Sequence, residues 1–269
     1  MRVIDTHAHI FPEKVAVKAT AATAEYFELP EPPHHDGTAG QLARALDEAG
    51  IDYAVVCSAA TTAHQVEAIN RYIWDAACKE PRFIPCGTLH AAYENYREEL
   101  EWMRRHGMYG VKIHPECQHF ALDDERMFPM YEEMERTGMF LIAHMGDPRV
   151  DLSGPRHMLP IADAFPGLRC IAAHLGNWGD WDPEKIRPLT RLPNVYTDIS
   201  SSFSYVKDKA PLYEILYAYD PTHIFFGSDY PIWDPKQELE KARALGLGEK
   251  LLEDILFNNF AAFYHDRAL

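Results

Sequence analysis

A single (β/α)8 TIM barrel, an α/β fold, is predicted by three features of this 269-residue chain. Eight short apolar runs recur along it, nearly continuous in Val, Ile, Phe and Ala, as strands buried on both faces of a parallel sheet are. Helix-like segments alternate with them. The joins are also asymmetric: helices pass into strands through short glycine-bearing links, whereas strands pass into helices through long polar loops. That asymmetry marks the barrel, with its site on the C-terminal face. A doubly wound open sheet is the competing architecture, but no Gly-x-Gly-x-x-Gly follows the first strand.

In chain order the strands are expected at residues 3–9, 53–58, 83–89, 110–114, 140–144, 170–174, 195–199 and 224–228. Residues 63–79 read as a helix with Val66, Ile69, Ile73 and Ala77 on one stripe, and residues 95–105 as another with Leu100 and Met103 facing inward. Gly50, Gly107, Gly138 and Gly167 stand where helices end, as left-handed caps would. Between strand 1 and the helix starting near Ala39 lies an insertion, residues 11–38, with a helix around 13–27 and then a Pro-rich turn. It reads as a lid or pocket wall, the other reading being a surface helix without contact to the site. Residues 235–245 and 249–264 are helical, and the last helix is expected to pack beneath the barrel. The chain is read as one domain over residues 1–269.

Composition narrows the function. With 47% hydrophobic and 25% charged residues the chain is an ordinary soluble enzyme in make-up. A formal net charge of −15 opposes a nucleic-acid partner. No apolar run reaches the ~18–20 residues of a membrane span, and no basic leader opens the chain, so a cytoplasmic location is expected. The five cysteines are odd in number and lack a Cys-x-x-Cys pair, which disfavours both a disulfide framework and a cysteine zinc site. A small-molecule substrate is the expected partner, with a homodimer allowed.

The chemistry lies at the strand ends. His7 and His9 are two apart on strand 1 and therefore point to one face. Strands 5, 6 and 8 end in His144, His174 and Asp229. On a barrel all five converge at the C-terminal mouth, and imidazoles with a carboxylate are ligands for zinc, or for manganese, iron or cobalt.

Those residues sit in motifs that resemble the amidohydrolase superfamily, in its amidohydrolase 2 branch of TIM-barrel metal-dependent hydrolases. The matching pieces are Asp5-Thr6-His7-Ala8-His9, Gly110-Val111-Lys112-Ile113-His114-Pro115, Leu141-Ile142-Ala143-His144, Ile171-Ala172-Ala173-His174-Leu175-Gly176, Phe226-Gly227-Ser228-Asp229-Tyr230-Pro231 and Asn259-Phe260-Ala261. They run from the first strand to the last helix. The resemblance implies that His7, His9, His144 and Asp229 hold a divalent metal, zinc above the others. It also implies that Asp229 takes a proton from the activated water, and that His174 ligates a second ion or polarises substrate. The activity implied is hydrolysis of a small amide, ester or lactone. The alternative is decarboxylation of an aromatic or unsaturated carboxylic acid, a lyase reaction known in the same branch.

Lys112 has three open readings: a carbamylated bridge between two ions, a cation for a substrate carboxylate, or an ion pair inside the barrel. A single-ion site is favoured. Lys112, His114, Arg149, Trp178 and Trp233 are the expected substrate-binding residues, although the tryptophans could equally wedge loops together. Gln118, His119, Asp147 and Tyr230 flank the same loops. His34 and His35 read as solvated loop residues, and Asp5 as a partner that orients a ligand histidine. A metal-binding scaffold without catalysis is disfavoured because every proton-transfer residue is present. A phosphodiesterase or deoxyribonuclease is disfavoured by the negative charge and by Lys112, where those relatives carry glutamate.

Overall fold

A computed structural model describes residues 1–204 and 206–264. Eight parallel strands form one sheet in the order β1 to β8. They are β1 (Ile4–His9), β2 (Tyr53–Cys57), β3 (Phe83–Thr88), β4 (Gly110–Ile113), β5 (Phe140–Ala143), β6 (Cys170–Ala172), β7 (Val195–Asp198) and β8 (Ile224–Phe225). The sheet curls until its edges meet. Thr6 N donates to Phe226 O at 2.9 Å, Asp229 N to His7 O at 2.8 Å and His9 N to Tyr230 O at 2.7 Å. These bonds explain why β8 is shorter than the sequence suggests: beyond Phe225 the chain pairs with β1 and not with β7.

Two helices fill the β1–β2 connection, α1 (Ala16–Tyr26) and α2 (Ala39–Ala49). Thr38 caps α2 by accepting from Gln41 N at 3.2 Å. The barrel helices continue with α3 (Val66–Lys79), α4 (Tyr96–Arg105), the single turn α5 (Pro115–Gln118), α6 (Phe128–Thr137), α7 (Pro155–Ala164), the turn α8 (Pro183–Ile186), α9 (Ala210–Ala218) and α10 (Pro235–Arg243). Gly50, Gly107 and Gly138 take positive φ after their helices, as expected; Gly167 does not. Its N–H is bound instead to Glu135 Oε1 at 2.6 Å, so it closes a turn against α6.

The final helical run is not one uniform helix. It comprises α11 (Glu249–Glu253), a π turn over Asp254–Asn258 and α12 (Asn259–Phe263). It plugs the barrel's N-terminal end. Ile4, Val55, Cys86, Phe140, Ile171 and Phe225 from the strands form one buried cluster with Phe260 and Phe263. The rings meet edge to face, Phe225–Phe260 at 5.4 Å and Phe140–Phe263 at 5.2 Å. Gly110 makes room for this: a Cβ there would lie 2.5 Å from the Phe140 ring. With the bottom packed, the open end of the barrel is the one bearing the strand-end histidines. Among the described residues no helix is long and apolar enough to cross a membrane.

Candidate metal centre and active site

His7 is fixed from behind. Its Nδ1–H donates to Asp198 Oδ2 at 3.0 Å, which leaves Nε2 facing the barrel axis with a lone pair. Asp198, at the end of β7, also accepts from His174 N at 3.2 Å, Ser200 N at 3.1 Å and the Ser200 hydroxyl. Burial alone would raise this carboxyl, but electrostatic interaction with the His7 ring and the hydrogen bonds hold it well below the usual carboxylate range. In front of His7 Nε2 stand His9 Nε2 at 3.2 Å, Asp229 Oδ1 at 3.7 Å and Lys112 Nζ at 2.8 Å. His9 Nε2 and Asp229 Oδ1 are 3.6 Å apart. A tetrahedral ion with N and O ligands at ~2.0–2.2 Å has ligand–ligand edges of ~3.3–3.6 Å, so these three atoms fit one cation.

The second observation concerns His144 and His174. His144 Nε2 lies 2.9 Å from Gly146 O, and His174 Nδ1 lies 3.1 Å from Ser200 O. A carbonyl accepts only, so those nitrogens carry the ring protons. The remaining atoms, His144 Nδ1 and His174 Nε2, are then lone pairs 3.1 Å apart and pointing at each other. Such a contact is repulsive until a cation or proton enters it. Burial, reinforced by neighbouring cationic groups, holds His144 well below the ordinary imidazole value; for His174 burial is again the main cause and brings the value down to about 4. Neutral rings are the ligating form. Ligand atoms of His7, His174 and Asp229 all lie within 4.8 Å of one another. His174 thus stands nearer to that pair than its expected auxiliary role implies. His144 adjoins the group through His174, and its other face stacks on His114 with centroids 4.0 Å apart.

Strain marks the same residues. His174, Ser201 and Asp229 adopt φ of 61°, 51° and 59°. Non-glycine residues in that region concentrate at functional sites. Asp229 Oδ2 accepts from the Ser201 hydroxyl, which in turn accepts from Trp233 Nε1 at 2.8 Å. Although burial opposes it, electrostatic interaction with the His7 and His174 rings and the Ser201 bond keep the Asp229 carboxyl below its ordinary value. It is therefore ionised at neutral pH.

Above these groups lies a cavity of about 350 Å³. Phe11, Thr23, Tyr26, Phe27 and Leu29 of the insertion line it, opposite Trp178 and Trp233. The insertion therefore walls the site. His114, expected at the substrate, borders the cavity too, as do Glu116 and Cys117. Burial would lower His114, but Cys117 and Glu116 together push it up to about 9.

Several expectations are corrected. Arg149 does not reach the cavity: its guanidinium binds Asp147 at 2.7 and 2.9 Å and the Tyr26 carbonyl, clasping the end of α1. Lys112 is fully buried and touches His7 instead of the cavity, so it is not positioned to hold a substrate carboxylate. Asp5 orients no imidazole. It accepts from His7 N at 3.1 Å and Ser228 N at 2.9 Å, tying β1 to the β8 loop. His34 and His35 are half-buried against that loop, His35 Nε2 lying 2.9 Å from Asp234 Oδ2. Gln118 is structural: its amide donates to Ala60 O and Leu89 O.

Asp198, Ser201 and Glu116 were not anticipated. Asp198 follows the same strand-end rule as Asp229 and was legible from it. Glu116 carries no comparable signal.

The buried histidines also set a pH dependence. His9, His144 and His174 are kept neutral by burial. In the unfolded chain each returns to ~6.5, so the unfolded state takes up protons that the folded one refuses, and stability falls as pH drops from ~6.5 towards ~4. Asp5 works the other way. Burial raises it to about 6, and the folded state then holds an extra proton between ~4 and ~6. The three histidines outweigh Asp5, so the net effect is a loss of stability as the pH falls below ~6.5. Urea unfolding of metal-free protein should show this loss; a flat profile between pH 6.5 and 5 would mean that the rings are solvated.

Comparison with known proteins gives three findings. The family model described as amidohydrolase matches residues 4–265. A dihydroorotase from Delftia acidovorans is 26% identical over 156 residues, 53% of this chain and 43% of that protein, so the match spans less than half of the relative's length. Two solved structures share the fold across nearly their whole length. One is a proposed 2-pyrone-4,6-dicarboxylic acid hydrolase from Pseudomonas putida, with TM-score 0.71, 18% identity, and 100% of this chain and 99% of that chain covered. The other is a dihydroxybenzoic acid decarboxylase from Polaromonas sp. JS666 with bound manganese and 2-nitroresorcinol, with TM-score 0.72, 15% identity, and 99% and 98% covered.

Proposed function

The chain belongs to the amidohydrolase family and is an enzyme of it, and from that premise we propose that it is a metal-dependent hydrolase of a small, uncharged amide, ester or lactone. The observation that carries this reading is the meeting of five ligand-type side chains from β1, β5, β6 and β8 beneath a cavity that, among the described residues, no lysine or arginine lines.

His7, His9 and Asp229 are the residues that would hold a divalent cation, with His144 and His174 as the adjoining pair. Imidazole with carboxylate suits zinc first, and also manganese, iron or cobalt. When bound, such an ion acidifies a water molecule and polarises a carbonyl. The protein's own groups do the rest. Asp229 accepts the proton as the water oxygen bonds to the carbonyl carbon, then returns it to the leaving nitrogen or oxygen as that bond breaks. Ser201 and Trp233 hold the carboxylate in place for both transfers. Asp198 fixes the His7 tautomer, and the aromatic walls exclude bulk water.

The amine of Lys112 stands where a cation's charge would repel it. Carbamylation, carried by a strand-4 lysine in some relatives and one of three open readings for Lys112, would remove that charge and add oxygen ligands.

Decarboxylation needs a cation for the substrate acid, and the candidates are engaged, Lys112 on His7, Arg149 on Asp147 and the raised His114 against Glu116 at 3.5 Å. Hydrolysis is thereby favoured. Turnover in ¹⁸O-labelled water separates the reactions: the metal-loaded enzyme should place solvent oxygen in the product acid and release no carbon dioxide. Release of carbon dioxide without label would overturn the assignment.

A further inference from the structure

Glu116 is completely buried at the cavity wall, yet only half of its carboxylate is used. Oε1 accepts from the Ser153 hydroxyl, whose oxygen accepts from Gly146 N at 2.9 Å. Oε2 has no hydrogen-bond partner, and neither does His114 Nδ1. These two orphaned atoms are 3.5 Å apart, with His144 Nε2 4.0 Å from the same oxygen and already engaged by Gly146 O. A buried polar atom without a partner is costly and rare, so a pair of them beside a cavity points to a group that arrives from outside.

The geometry defines that group. One hydroxyl oxygen placed ~2.8–2.9 Å from both atoms spans the gap, donating to Glu116 and accepting from His114. A carboxamide can do the same with its two ends. A metal ion fits less well. The His114 and His144 rings are stacked within 8° of parallel, so an ion between them would lie far out of both ring planes, and His144 Nε2 carries its proton. A carboxylate fits badly too, because it would face the Glu116 charge, while His114 is already paired with that carboxylate and no lysine or arginine among the described residues lines the cavity.

We infer that Glu116 and His114 form a recognition subsite for an uncharged hydroxyl or carboxamide carried on a flat apolar body, the body lying among Phe27, Trp178 and Trp233. Glu116 is then a specificity residue at the opposite end of the substrate from the scissile carbonyl. This deepens the hydrolase reading and rests on it for the word substrate; the binding site itself does not.

The test uses methyl ketones, which contain no bond to hydrolyse, titrated calorimetrically into the metal-loaded full chain. 4-Hydroxyacetophenone should bind at least tenfold more tightly than 4-methoxyacetophenone, whose donor is capped, and than 4-acetylbenzoate, which is anionic at that end. Glu116→Met should abolish the preference for hydroxyl over methoxy. Glu116→Gln retains an acceptor without the charge, so it should keep that preference and admit 4-acetylbenzoate more readily. Equal binding of the three ketones by the unmodified protein, or a hydroxyl preference that survives in Glu116→Met, would overturn the subsite. The corresponding methyl esters test the reaction separately. Discrimination among ketones without ester hydrolysis would sink the activity and leave the subsite standing, and hydrolysis without discrimination the reverse.

Discussion

Asp229→Asn should turn over substrate about 10²–10⁴-fold more slowly than the unmodified enzyme, because the carboxylate that moves the proton is replaced by an amide of the same shape. One oxygen still faces His7 and His9, now at 3.7 and 3.6 Å, so most of the metal should be retained. The loss should fall on kcat with little change in KM, the signature of a group needed in the transition state. With that oxygen facing the histidines the amide NH2 faces Ser201, whose hydroxyl then accepts where it donated before, and the fold should be unchanged. Metal analysis beside steady-state kinetics decides the matter. Full activity in a metal-replete variant would remove Asp229 from proton transfer.

Phe260→Ala should cost about 3–5 kcal/mol of stability, the range for truncating a well-packed aromatic core residue. Phe260 is buried among Phe140, Phe225 and Phe263, and its ring is the plug between the last helix and the inside of the barrel. The loss would appear as an earlier urea midpoint with an unchanged slope. The site lies at the other end, so the folded fraction should keep its metal affinity. A change under 1 kcal/mol would mean that the final helix is only draped over the barrel and does not close it.

The barrel was legible because strands buried on both faces leave unbroken apolar runs, and because Gly50, Gly107 and Gly138 mark the helix ends. The gathering of the strand-end residues was legible for a related reason. A polar residue closing an apolar run has few places to go except the barrel mouth, which is where His144, His174 and Asp229 stand. What the sequence did not disclose depends on partners chosen in three dimensions. Arg149 looked available, but an acid two residues earlier, Asp147, captures it locally; that spacing is a warning readable in hindsight. Lys112 faced the mouth by strand alternation, as expected, but whether its amine meets substrate or His7 is settled by depth inside the barrel. Glu116 lies in a single helical turn whose direction follows from how Gln118 anchors that loop to Ala60 and Leu89. No periodicity announces it. The walls supplied by Phe27 and Tyr26 are equally hidden, because a helix in an insertion has no register with the barrel until it docks.

The most direct measurement is an anomalous-diffraction map from crystals grown with manganese. A peak is expected ~2.0–2.3 Å from His7 Nε2, His9 Nε2 and Asp229 Oδ1, beside the facing nitrogens of His144 and His174. Saturating manganese that leaves those atoms without a peak, or that gathers only on surface carboxylates, would contradict it.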